Sequence, residues 1–380
     1  MSKELMRVLS FERDSGACNH YRVLQPLYKM LNNGLANILT INKSNCSDQD
    51  FVNQKILESQ IILIHRPADE KWLNLIRAAK RAGKIVVADY DDDPFNTSPW
   101  NEAYRWYGVQ EVTYKQDEDS EAIALWKDGE DGFSIEANIE RRDLFKASFK
   151  SCDLVTCTTD NLKDTFSKIN PNTVVLPNLI DCEIFQPIHM VKTKEIRIGY
   201  VFGNSHYEDF YMVRPHLKSI LDKFPQVKLV FFGDCSFHGL FKDFPKDRIE
   251  WHSWVGVSAY PYKLMTLNID IGICPLVDNA FNRCKSSLKW MEYSAIGVAT
   301  VASNMAPYSV TISDGKDGIL SKDDEWTEKL TKLIQDGVYR KQIAMNAYKN
   351  VQSNHNADKK AYLWEEAYQK VLSSDALESL

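Results

Sequence analysis

The feature that most constrains this chain is an alternation of short apolar runs with helical patterns, which runs once through the sequence and then starts again. Residues 5–11, 36–41, 60–65 and 84–89 read as strands, with helices over 21–32 and 71–82 between them. Gly34 and Gly83 follow those helices as C-terminal stops do. A helix over 138–150, a strand over 153–158, a helix over 160–168 with Asp160 as its N-cap and a strand over 173–176 complete the first half. The pattern restarts with strands over 196–201, 227–232 and 249–254, helices over 210–223 and 260–267, and terminal helices over 340–352 and 357–372. Such alternation builds parallel sheets covered by helices. At 380 residues the chain is long for one core and natural for two domains. The expected class is α/β, with two doubly wound domains.

The most informative stretch is 270–303. It opens on a buried-strand pattern over 269–274, passes through a polar loop into a helix over 286–296 with Gly297 as C-cap, and closes on a strand over 298–302. Lys285, Lys289 and Glu292 are spaced by four and three and share a helix face. Leu288, Met291 and Ala295 share the neighbouring face and pack on the sheet. Two lysines beside a helix start suit a nucleotide diphosphate, and Glu292 suits ribose hydroxyls. A solvated charged face with an i,i+4 pair is the plain alternative. The position after a buried strand favours the ligand, because open α/β sheets bind at the carboxyl ends of their strands.

This stretch resembles the donor segment of nucleotide-sugar glycosyltransferases of the GT-B architecture, nearest the large retaining, family 4-like group that includes sucrose synthase-like and glycogen synthase-like enzymes. The residues that carry the resemblance are Pro275-Leu276, Asn282, Lys285, Lys289, Glu292-Tyr293, Gly297 and Val301-Ala302-Ser303. It implies two Rossmann-like domains facing a cleft and retained anomeric configuration. The donor, a UDP-sugar for example, then lies on the second domain, with Glu292 at its ribose. A second glutamate, usual eight residues earlier, is here Cys284. Relatives also carry an arginine and a lysine after the first strand of the donor domain; here that loop offers Gly203 and Asn204, and Arg283, Lys285 and Lys289 are expected in their place. Pro177-Asn178-Leu179-Ile180-Asp181 resembles the passage between domains. That puts the boundary at 1–178 and 179–355, with 356–380 crossing back.

In the first half, the loop after the first strand, with Gly16, leads to Arg22, a candidate acceptor or phosphate ligand; His65 ends the third strand and also faces the cleft. Asp89-Tyr90-Asp91-Asp92-Asp93 follows the fourth. Carboxylates so crowded must be solvated, paired or coordinating. Three roles compete: a divalent-metal site, a cleft role near the reacting sugar, and a capping turn. The expectation is the cleft role for Asp91 and Asp92 as catalytic groups, with no metal, since GT-B enzymes generally need none.

Residues 96–132 form an insertion holding Trp100, Tyr104, Trp106, Tyr107, Tyr114 and Trp126, whose rings either pack on their own domain or stack on sugars or bases. With the Asp89–Asp93 element, it resembles glycosyltransferases of bacterial viruses. Two acceptor classes follow: a glycan or saccharide, or duplex DNA bearing hydroxymethylated pyrimidines. The net charge of −6 counts against DNA. Arg77, Lys80, Arg81 and Lys84, and Arg141, Arg142, Lys146 and Lys150, are the two basic groups that would follow a phosphate backbone. Eight cysteines without a CxxC pair, a start that runs directly into a strand, and no apolar run near the ~20 residues of a membrane span point to the cytoplasm, that of the host if the chain is viral. Scattered histidines give no zinc spacing.

Overall fold

The computed structural model describes residues 5–11, 16–42, 46–115, 120–188, 194–234 and 238–378, with 374–378 as backbone only. The chain divides into two units: Met1–Pro177 with Ala361–Leu380, and Asn178–Lys360.

Unit 1 is built on six parallel strands: β1 (Met6–Phe11), β2 (Ala36–Ile41), β3 (Ile61–His65), β4 (Ile85–Tyr90), β7 (Leu154–Cys157) and β8 (Thr173–Val175), in the order β2-β1-β3-β4-β7-β8. β5 (Val112–Tyr114) and β6 (Ile123–Trp126) form a separate antiparallel hairpin in the insertion. β3 and β4 are buried at every residue, which is why they read as continuous apolar runs. Unit 2 repeats the plan with β9 (Ile196–Val201), β10 (Val227–Phe232), β11 (Ile249–His252), β12 (Ile271–Cys274), β13 (Ala299–Ser303) and β14 (Ile319–Ser321), in the order β11-β10-β9-β12-β13-β14. Strand order reverses between β1 and β3 in unit 1 and between β9 and β12 in unit 2. At those points the crossovers leave in opposite directions and open a crevice at the strand ends.

Several details differ from the sequence expectation, each for a local reason. Thr159, not Asp160, caps the Asp160–Phe166 helix, its hydroxyl accepting from Leu162 N. The helix expected over 21–32 begins with three α-helical residues, Ala17–Asn19, widens to a π-turn over His20–Leu24 and returns to α over Gln25–Asn32. The expected helix over 286–296 is Leu288–Ala295, preceded by a separate turn of helix, Ala280–Arg283, that Asn279 caps through Asn282 N. Lys285 therefore lies in the link and not on the helix. Gly297 has φ +76 and closes the helix with Gly297 N to Ser294 O and Val298 N to Tyr293 O, a paired C-terminal motif that needs a left-handed residue.

The Leu288–Ala295 helix fixes the crevice of unit 2. From Trp290 to Ala295 every residue is buried, so the helix has no solvated face beyond its first turn. The Tyr293 hydroxyl donates to Gly199 O and accepts from Val201 N, both at 3.0 Å, locking the helix across β9. Gly272 on β12 makes room, since a Cβ there would stand 2.6 Å from the Tyr293 ring. The insertion's rings pack largely on their own unit: Trp126 lies against Tyr104 and Phe133 and donates to Pro99 O, and Trp100 meets Tyr114 edge-on.

Candidate functional site

At the crevice of unit 2, the turn after β9 and the turn after β12 are tied by one carboxylate. Asp209, in the first turn of the Tyr207–Lys223 helix, is 1% exposed. Its Oδ1 accepts from Val277 N at 2.8 Å and from Asn282 Nδ2 at 3.0 Å, and Oδ2 takes His206 Nδ1 at 2.7 Å. Asn282 also donates to Val277 O, so the β12 turn is held from both sides. Glu292 is 5% exposed and accepts from the Tyr260 hydroxyl at 2.7 Å. Burial of a carboxylate is costly unless it is hydrogen-bonded, and Tyr260 supplies that bond from a neighbouring helix.

Lys289 stands one turn before Glu292. It is half-buried and makes no hydrogen bond or ion pair with any described residue. Burial, with Lys285 beside it, lowers its pKa, although Glu292, Cys274 and Asp209 pull the other way. Lys285, also half-buried, lies over the Phe281 ring at 5.3 Å and forms no ion pair among the described residues. The helix behind them starts at Ser287 without a side-chain cap. Two ammonium groups without an ion pair among the described residues, beside uncapped backbone N–H groups, make an arrangement that can hold an anion. Arg283 does not join them. It is exposed and paired with Asp278 through Nε–Oδ1 at 2.6 Å and Nη2–Oδ2 at 2.9 Å. Gly203 and Asn204 are half-buried at the start of the β9 turn. Gly203 has extended backbone, and a Cβ there would meet no protein atom within 4 Å. Cys284 is buried.

At the crevice of unit 1, the charges are matched internally. Arg22, expected as an acceptor or phosphate ligand, is 1% exposed. Its guanidinium grips Asp89 through Nε–Oδ1 at 3.0 Å and Nη2–Oδ2 at 2.6 Å, and Nη1 donates to Leu176 O. Thr156 also donates to Asp89, at 2.6 Å. Arg22 is thus a buried clamp between the end of β4 and the residue after β8. Arg66, one residue past β3 with φ +54, bonds Asp91 and Asp92 at 2.6 and 2.9 Å and reaches the Cys18 thiol at 3.3 Å. Burial works against the Asp91 charge, but Arg66 and His65 overcome it and hold the carboxyl well below its usual range. Asp91 is therefore poorly suited to act as a base at neutral pH. His65 is 2% exposed, with Nε2 at 3.6 Å from Asp91 and 3.9 Å from Asp89, and neither ring nitrogen is hydrogen-bonded among the described residues. Asp93 is a cap, accepting from Phe95 N and Asn96 Nδ2. Gly16 is exposed at the start of Ala17–Asn19, and residues 12–15 of its loop lie outside the described residues.

The two basic groups considered for a phosphate backbone are largely engaged within unit 1. Lys80 pairs with Asp153, and Lys84 donates to Leu57 O and Ser59 O. Arg141 donates to Trp106 O, Arg142 to Phe95 O, and Lys146 pairs with Asp143. Asp181, Glu183 and Asp358 are the group among the described residues with cation-ligand spacing.

Residues 214–366 match the family described as glycosyl transferase-like. No curated protein matches the chain. Solved structures match it over nearly its whole length. HepE from Anabaena, in complex with UDP and glucose, aligns with TM-score 0.63 and 13% identity over 96% of this chain and 100% of its own. Sucrose-phosphate synthase from Thermosynechococcus elongatus aligns with 0.63 and 12% over 97% and 100%. The chain has the GT-B fold. The catalytic domain of starch synthase IV from Arabidopsis thaliana, bound to ADP and acarbose, agrees at 0.63 and 10% over 98% and 100%. Within this GT-B chain, four hydrogen-bonded side chains at the two crevices carried no sequence expectation: Tyr260, His206, Asp209 and Arg66. The His206-x-x-Asp209 spacing was a usable signal, since residues three apart share a helix face.

Proposed function

We propose that the protein transfers a sugar from a nucleotide sugar to an acceptor hydroxyl, with retention at the anomeric carbon and a glycan or other saccharide as acceptor. The observation that carries this is Lys289: a half-buried ammonium with no ion pair among the described residues, beside Lys285 and an uncapped helix start. In that role Lys285 and Lys289 bind the donor diphosphate and stabilise the charge that grows on it as the bond to the sugar breaks. Glu292, oriented by Tyr260, accepts from the ribose hydroxyls. Gly203 and Asn204 let the backbone of the β9 turn approach the phosphates. Unit 1 takes the acceptor, with Asp91, Asp92 and His65 binding hydroxyls. The acceptor oxygen forms the new bond to the anomeric carbon, and its proton leaves with the diphosphate or to solvent. HepE bound to UDP and glucose supports a uridine nucleotide, and starch synthase IV bound to ADP supports adenosine as the other choice. The cytoplasm is the proposed location.

Incubation with UDP-, ADP- and GDP-sugars and a panel of saccharide acceptors, read by nucleoside diphosphate release and product mass, tests the proposal. Release coupled to a glycosylated product is expected. Absence of binding to any nucleotide sugar would overturn it. Binding without release across the panel would leave a binding module, which the buried Cys284 at the place of a second glutamate favours.

A further inference from the structure

Asp209 is fully engaged. Its Oδ1 holds Val277 N and Asn282 Nδ2, and its Oδ2 meets His206 Nδ1. A carboxylate can only accept, so the His206 ring presents N–H at Nδ1. The other nitrogen, Nε2, has no hydrogen-bond partner among the described residues. His206 is 8% exposed and feels both Lys285 and Lys289. His206 is therefore a fixed imidazole with one unused nitrogen, set among the two ammonium groups assigned to the donor.

We propose that His206 is a third ligand of the donor diphosphate and gains a proton when it binds: the imidazolium Nε2–H then donates to a phosphate oxygen while Asp209 holds the ring through Nδ1. The inference rests on the donor role proposed above and adds a linked proton to it. Without ligand, burial first and then Lys285 and Lys289 push the His206 pKa down to about 4, against the pull of Asp209. The ring is neutral at pH 7, because burial, and then the two lysines beside it, disfavour a further cation. A doubly esterified diphosphate brings two negative charges. It offsets the lysines, leaves Asp209 in place, and so favours the proton, which comes from solvent.

The other groups around this cluster do not mimic the effect. The Cys274 thiol, on β12, is raised by burial to about 12, and the Tyr308 phenol is raised by burial well above its ordinary value, so both stay protonated. Glu292 faces Tyr260 one turn beyond Lys289. Lys289 can titrate above neutrality, but its contribution would survive loss of the imidazole.

The test is calorimetric titration of the full chain with UDP-, ADP- and GDP-glucose between about pH 5.5 and 8, in buffers of different ionisation heat. Wild type should bind more tightly as pH falls, by up to about tenfold per unit, with measurable proton uptake. His206→Gln keeps a neutral donor; it should lose uptake and the slope below pH 7, and stay within about threefold of wild type at pH 8. Its melting temperature without ligand checks the fold. Wild-type binding with a flat profile and no proton uptake would overturn the inference and leave the donor role standing, whatever the variant does. So would a His206→Gln protein that keeps the slope. Failure of wild type to bind any of the three sugars would overturn the donor role, and this inference with it.

Discussion

The two units place charged residues at the same point of nearly the same sheet and treat them in opposite ways. At the crevice of unit 1, Arg22 is matched to Asp89, and Arg66 to Asp91 and Asp92. At the crevice of unit 2, Lys285 and Lys289 face no carboxylate within ion-pair distance among the described residues, and the nearby Glu292 and Asp209 are bonded to Tyr260, His206, Asn282 and Val277 N. Matched charge in a low-dielectric place holds a structure together; unmatched cationic charge at a strand end waits for an anion. The difference teaches that a charged residue at a crevice becomes a ligand candidate through what its neighbours leave undone, and not through its position.

The largest expected effect breaks a matched pair. Arg22→Ala leaves Asp89 buried with Thr156 as its remaining side-chain hydrogen-bond donor among the described residues. Loss of one partner of a buried pair costs about 3–5 kcal/mol. Denaturant unfolding should show the transition of unit 1 at much lower denaturant, with nucleotide-sugar affinity of the still-folded protein unchanged. A small shift would mean that Arg22 is not the clamp its geometry makes it.

The unmatched side should respond in reverse. Lys289→Ala removes a charge-assisted contact to the diphosphate, worth ~1.5–3 kcal/mol or about tenfold or more in affinity. The melting temperature without ligand should stay level or rise, because the ammonium it removes is half-buried and lacks a counter-ion. Unchanged affinity in calorimetry would withdraw Lys289 from the donor site.

This contrast shows how far the sequence could be followed. Strands such as β3 and β4 were legible because burial on both faces writes an unbroken apolar run. The Gln49–Glu58 helix was not, because it buries only Val52 and so carries no stripe. β14 is three residues long, too short for any periodicity. That Lys289 and Glu292 share a helix was legible because helical spacing is local. The burial of Arg22 was not, because its partner lies 67 residues away and only the sheet brings them together. The same holds for Tyr260, whose bond to Glu292 spans 32 residues.

A smaller effect sharpens the comparison on the acidic side. Arg66 holds the Asp91 carboxyl below its usual range, so its stabilisation is fully present above the unfolded value near pH 4. It is lost as pH falls through the depressed folded value. Wild type should therefore exceed Asp91→Asn in stability by about 1–3 kcal/mol at neutral pH, with the gap closing only well below pH 4. A gap independent of pH would mean that the Asp91 charge is not what Arg66 recognises.

The smallest expected effect is that of a chelator on turnover, which should be close to none. A divalent ion at Asp91 and Asp92 would have to draw them from Arg66, which bonds both and is itself raised well above its ordinary value, since the Asp91 and Asp92 charges outweigh its burial. Displacing it would leave a guanidinium at a half-buried site with its carboxylates turned to the metal, an unfavourable exchange. In the proposed donor site of unit 2 the two lysines would supply the positive charge that a bridging metal would bring to a diphosphate. Asp91→Asn should accordingly lower turnover in chelator and in its absence alike. Loss of turnover on chelation, with rescue by manganese or magnesium, would show that the carboxylates leave Arg66 for a cation during the reaction, and the matched half of the comparison would then hold only for the resting enzyme.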